Sequence, residues 1–139
     1  MSLADAVLAK LISVLPADVH VYDGTAPGIV PPRYVVLFCT TGHRISRATD
    51  GRSRDVEYKL QVTSVAAVAD QARSAAPEAR WLSEQVRDAL TDWVAVVPGL
   101  QVGPIEHVLT LQPTPDETIS DRHLMYTVDQ FSALADKLS

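Results

Sequence analysis

The stretch DVEYKLQVTSV, residues 55–65, alternates with a period of two and constrains the rest of the chain more than any other segment. Val56, Tyr58, Leu60 and Val62 fall on one side; Asp55, Glu57, Lys59 and Gln61 fall on the other. Successive side chains of a strand point to opposite faces, so this pattern specifies a strand with one buried and one wetted face. Such a strand needs neighbours in a sheet and a second layer over its apolar side. Just upstream, RYVVLFCTT (33–41) is an almost continuous apolar and β-branched run bounded by turn residues, which favours a second strand over a helix. Between them lies RISRATDGRSRD (44–55), with Asp50-Gly51 suited to a tight turn. Residues 33–65 therefore read as a long β-hairpin with arginines at its tip.

The covering layer is also legible. In SLADAVLAKLISVL, Leu3, Val7, Leu8, Leu11, Ile12 and Leu15 repeat at helical spacing. Ser2 and Asp5 have the spacing of a cap, and Pro16 stops the helix. A short strand, VHVY (19–22), follows, and the Pro- and Gly-bearing TAPGIVPP (25–32) reads as a surface connection. Residues 66–93 carry helical spacing, clearest from Ser74, with Pro77 in the first turn and Trp81, Leu82, Val86, Ala89, Leu90 and Trp93 in register. Residues 66–73 are expected to add a preceding turn of that helix. Pro98-Gly99 marks a turn, and IEHVLTL (105–111) and DRHLMYTVDQF (121–131) are two more strands joined by the loop QPTPDETIS. The resulting order is α-β-β-β-α-β-β, an α+β fold with helices on a mostly antiparallel sheet of five short strands. A chain of 139 residues fits one domain, 1–139.

Composition narrows the function. A net charge of −5 argues against broad nucleic-acid binding, although it permits a local basic patch. No apolar run approaches the ~20 residues needed to span a bilayer, and no membrane partner is expected. The N-terminus lacks the basic and apolar regions of a secretory signal, so synthesis and folding in a reducing cytoplasm are expected. Cys39 is the only cysteine, which rules out an intrachain disulfide and a multi-cysteine zinc or iron–sulfur site. Cys39 and His43 straddle a strand end without a second ligand pair, and His20, His107 and His123 read as strand residues. Ser64, Thr63 and Ser46 lack a nucleophile-elbow setting; Gly24, Gly28 and Gly99 form no phosphate cradle; Asp116-Glu117 reads as solvated loop. No catalytic residue, cofactor or metal ligand is assigned, and an enzyme is not expected.

Arg44, Arg47, Arg52 and Arg54 admit three readings: a solvated loop, a protein-docking loop, and a phosphate grip. The segment has no aromatic residue for base stacking and no helix to enter a groove, which ranks the phosphate grip last. Docking suits arginine because its planar fork engages a carboxylate through two bonds. Trp81 lies at the edge of the helical stripe, where it serves either the core or a subunit interface.

The succession VYDG (21–24), PPRYVVLF (31–38), a variable loop, EYKLQVTSVA (57–66), EARWLSEQVRDAL (78–90) and DRHLMYTVDQF (121–131) resembles the tail terminator, or tail-completion, proteins of long-tailed (siphovirus-type) bacteriophages. The resemblance runs over nearly the whole chain and rests on hydrophobic pattern and local wording. It implies a small α+β subunit that forms a hexameric ring on the head-proximal end of the tail tube. Such a ring stops tube polymerisation and offers a surface for head–tail joining. The implied partners are further copies of itself, the tail tube protein and the head–tail connector protein, with DNA passing through the lumen without sequence-specific contact. The implied location is the virion tail, and the host cytoplasm during assembly. Six copies at −5 would carry roughly −30 per ring, and an acidic channel disfavours tight DNA contact. A head–tail connector or neck completion protein is the alternative, and a small-molecule-binding α+β domain ranks behind it. On either structural reading the interface candidates are Arg44, Arg47, Arg52, Arg54 and Trp81, with sheet edges as further contacts.

Overall fold

The computed structural model describes residues 1–28, 31–44, 55–68, 75–116 and 123–138. Helix α1 (Leu3–Val14) begins at a capping box: the Ser2 hydroxyl accepts from the Asp5 amide at 3.2 Å, and the Asp5 carboxylate accepts from the Ser2 amide at 2.8 Å. These bonds hold the Asp5 carboxyl below its ordinary value. Leu3, Val7 and Leu11, each one helical turn from the next, are buried together with Leu15. Ile12, expected on this face, is 64% exposed. It sits one residue, about 100° of helix, beyond the Leu3–Val7–Leu11 line, and Leu11 already fills the inward position.

Strand β1 (His20–Asp23) pairs in parallel with β2 (Arg33–Cys39), and every other ladder among the described residues is antiparallel. The parallel pair is reached by a connection of only nine residues, 24–32, because β1 is four residues long and little chain is needed to return to its start. Beyond Cys39 the hairpin continues through β3 (His43–Arg44) into β4 (Asp55–Val68). Cys39 faces Leu60 and His43 faces Glu57, so four residues on one limb oppose three on the other. Gly42 takes up this slip at φ +91, and a Cβ placed there would lie 2.5 Å from Val56 Cγ1 and 2.9 Å from Tyr58 Cε1.

The alternation of 55–62 emerges as expected, with Val56, Tyr58, Leu60 and Val62 buried. The strand, however, runs on through Val68, so residues 66–68 are strand rather than the start of a helix. Ala66 and Ala67 are buried on opposite faces, an apolar pair that a helical reading of 66–73 absorbs equally well. The rest of that expected turn lies outside the described residues. Helix α2 (Ala76–Leu90) has Pro in its first turn and buries Ala79, Leu82, Ser83, Val86 and Leu90 against β4 and β8.

Strand β8 (His123–Lys137) is not short: it spans 15 residues and pairs with β4 without a slip from Asp55–Asp136 to Val68–His123. Its other side is covered by β5 (Leu100–Val102), β6 (Glu106–Thr110) and β7 (Thr114–Asp116). Three of the eight strands among the described residues, β3, β5 and β7, were not expected from the sequence, and β7 falls within the supposed loop QPTPDETIS. Together β5, β6 and β7 form one interrupted limb. It slips by one residue between Val102 and Glu106, again between His107 and Leu109, and again between Thr110 and Thr114. Each slip breaks the period-two pattern that marks a strand in sequence.

Both helices cover one sheet face, where Val35, Leu37, Val62 and Phe131 meet Leu82, Val86 and Leu90 in the main core. Burying each such side chain contributes about 1.5–3 kcal/mol. A smaller cluster of Tyr34, Val36, Val65, Ala67 and Leu124 occupies part of the opposite face. Gly42→Ala is expected to destabilise the fold by about 1–3 kcal/mol, through backbone strain and the clash with Val56. Chemical denaturation measures the loss, and a neutral result would show that the hairpin slip relaxes freely.

Candidate functional site

The sequence pointed to the arginine segment and Trp81, and the structure treats them differently. Arg44 stands in β3 opposite Val56, while Arg47, Arg52 and Arg54 lie outside the described residues. In the β4–β8 ladder Asp55 and Asp136 are direct cross-strand partners.

Trp81 is on the surface rather than in the core, 38% exposed on α2. The Arg33 guanidinium lies 5.2 Å from the centre of its ring, a cation–π contact from the first residue of β2. Arg33 also pairs with Asp18, and this bond holds the Asp18 carboxyl below its ordinary range. Pro32, Pro77 and Glu78 complete a small cleft of about 300 Å³ around the pair. The Arg33–Trp81 pairing joins residues 48 apart and carries no local pattern, so the sequence gives no sign of it.

A larger groove, about 670 Å³, lies by the helix-free face of the sheet, between Asp23 and Val108. Phe38 lies at one side, 43% exposed, and Lys59, Gln61, Gln130 and Ser132 are among its lining residues. Glu57 and Lys59 are 3.9 Å apart in a solvent-facing pair of small energetic weight. Cys39 borders the groove but packs against the main core, and burial, followed by the charge of Asp23, pushes its thiol up to about 11. A thiol so placed is protonated at neutral pH and a poor nucleophile.

The most concentrated polar chemistry was missed by the sequence reading. Asp129, fully buried on β8, accepts from the Ser83 hydroxyl at 2.5 Å and from the Thr110 hydroxyl. His107 Nε2 lies 2.7 Å from Thr110 Oγ1 and 3.4 Å from Asp129 Oδ1, and Arg87 Nε is 4.0 Å from the same oxygen. The group ties α2, β6 and β8 together. Thr110 and Asp129 meet the same imidazole nitrogen, whereas a relay of nucleophile, base and orienting acid needs opposite nitrogens. The arrangement is suited to holding a helix on a sheet. One signal was available: Asp129 shares strand parity with the buried Phe131 and Ala133, so it had to point inward. Among the described residues, no three metal-ligating side chains converge on a point, and no helix is long and apolar enough to cross a membrane.

No protein-family model and no curated protein matches the chain. Solved structures do match over the whole fold. A chain of the virion of a native gene transfer agent (GTA) particle superposes with a TM-score of 0.64 at 17% identity, covering 97% of this chain and 95% of that one. A second structure, whose description carries no function, superposes with a TM-score of 0.51 at 25% identity, covering 98% and 96%. This chain therefore shares its fold with a chain of the gene transfer agent virion.

Ser83→Ala removes one of the two hydroxyls that donate to the buried Asp129 carboxylate. The expected cost is about 1–3 kcal/mol, the penalty for an unsatisfied buried acceptor. Thermal unfolding compares the variant with the parent, and an unchanged midpoint would show that the carboxylate finds another partner.

Proposed function

We propose that this chain is a structural subunit of a phage-like virion that works as a tail terminator. In this reading copies of the chain, six by the resemblance described above, form a ring on the head-proximal end of the tail tube. The ring stops tube growth and presents a surface for head–tail joining. The observation that carries the proposal is the end-to-end match with the gene transfer agent virion chain, which spans 97% of this chain and leaves no large part of the fold unmatched. The wording of the sequence supports the narrower assignment to the tail terminus.

The physical features fit an assembly subunit. Large side chains remain in solvent on several surfaces: Val96 at 85%, Ile12 at 64%, Val108 at 60% and Phe38 at 43%. Apolar surface left in water is what subunit contact removes. Arg44, Arg47, Arg52 and Arg54 are the charged docking residues of this proposal. They engage carboxylates of a neighbouring copy or of the tube end, and Trp81 serves as an aromatic anchor beside Arg33. DNA passes through a lumen made predominantly acidic by the net charge of the subunits, and is not held there.

Tube polymerisation tests the assignment. Added to purified tail tube protein during assembly, this chain is expected to shorten the tubes in proportion to its concentration and to appear at one tube end by electron microscopy. Unaltered tube lengths, together with capture by the connector protein alone, would move the chain to the head-side neck.

A further inference from the structure

The segment Trp93–Val97 is not one of the strands of the sheet, but it has a strand's alternation and bonds to the returning limb at its two ends. Its burial alternates: Ala95 and Val97 are 4% and 5% exposed, whereas Val94 and Val96 are 49% and 85% exposed. Pro98 and Gly99, the latter at φ +81, turn the chain back on itself, and the Leu100 amide donates to the Val97 carbonyl at 3.1 Å. At the other end the Ile105 amide donates to the Trp93 carbonyl at 3.0 Å. The backbone groups of Trp93 and Val97 that make these bonds are thus directed at the returning limb. Strand alternation turns those of Val94 and Val96 the opposite way. Among the described residues, the amides and carbonyls of Val94 and Val96 have no backbone partner.

Among the described strands, β6 and β7 carry features that guard an edge, whereas β1 does not. The β6 edge is bent by the slip at Val108, and β7 carries Pro115. Val94 and Val96 have neither device: two exposed β-branched residues whose backbone groups have no backbone partner among the described residues form a template for strand addition.

We propose that this edge receives strand β1 of a second copy of the chain. The chemistry of the edge selects an extended segment, since only a strand presents donors and acceptors at matching spacing. In the described sheet β1 lies at the end of the strand order and pairs with β2 alone. Its four residues offer two outward-turned positions, the same number as Val94 and Val96. An antiparallel register sets Val21 across from Val96. It also brings Asp23 to the end of the segment where the Lys10 ammonium lies 5.4 Å from the centre of the Trp93 ring, an opposite charge. The two surfaces differ, so the contact is heterologous and propagates around a ring rather than closing as a two-fold dimer. The inference rests on the ring reading above and supplies its subunit contact.

Hydrogen exchange across a protein concentration series, read with native mass, tests it. On assembly the Val94 and Val96 amides are expected to slow on the order of tenfold or more, and amides within His20–Asp23 to slow with them. The variant Val94→Lys/Val96→Lys is expected to keep the parent's unfolding midpoint and fail to assemble. An assembled parent with fast exchange at Val94 and Val96, or a double variant that assembles like the parent, overturns the contact while leaving the ring intact. Protection of the valines without β1 overturns the choice of occupant. A chain that stays monomeric at every concentration overturns the contact outright, and the ring reading then depends on the tube end.

Discussion

The rest of the molecule is hung on the pairing of β4 with β8, fourteen residues in unbroken antiparallel register. Every other part of the fold refers to this ribbon. The β2 strand extends it on one side, and the slipped limb of β5, β6 and β7 extends it on the other. A one-residue shift of the pairing would turn one strand over and bring either Val62 of β4 or Phe131 of β8, both buried, out to the wetted face. The hydrophobic pattern of β4 and β8 thus fixes the register, and the register determines which side chains α2 can meet.

Where α2 lies on the ribbon, the contact is of two kinds. Leu82, Val86 and Leu90 pack into the apolar core, while Ser83 reaches the buried Asp129 carboxylate. Apolar packing alone tolerates sliding of a helix along a sheet, but a hydroxyl–carboxylate bond has one geometry. Asp129 therefore sets the position of the helix, and Thr110 ties the slipped limb to the same atom group. Ser64 and Thr127, direct cross-strand partners beneath this helix, keep buried hydroxyls without a hydrogen-bond partner among the described residues. They mark the part of the seam where polar pairing is incomplete. Trp81 and the exposed side chains of Val94 and Val96 lie outside this core, on the two surfaces that the functional proposals use.

Much of this was legible in the chain. The capping box at Ser2 and Asp5, the alternation at 55–62, and the turn at Pro98-Gly99 each follow from a local rule and appear in the structure. What escaped was nonlocal. The limb formed by β5, β6 and β7 reads as loops and one strand because each register slip inserts a residue, and each insertion resets the alternation. Residues 66–68 read as helix because Ala66 and Ala67 satisfy both periods, and only pairing with Met125 and Leu124 decides between them. The Asp129 group draws on α2, β6 and β8, so no window of sequence contains it. Arg33 and Trp81 are likewise brought together only by the fold.

A fold shared along its whole length with a virion component and a surface with exposed apolar residues are joined by one claim, that copies of this chain close into a ring. Native mass over a concentration series, with electron microscopy of the largest species in isolation and on tail tube ends, tests that claim most directly. The account predicts a closed six-fold ring with a central opening, free or formed on the tube end. A chain that remains a monomer alone, and that tube ends neither bind nor order into a ring, would contradict it.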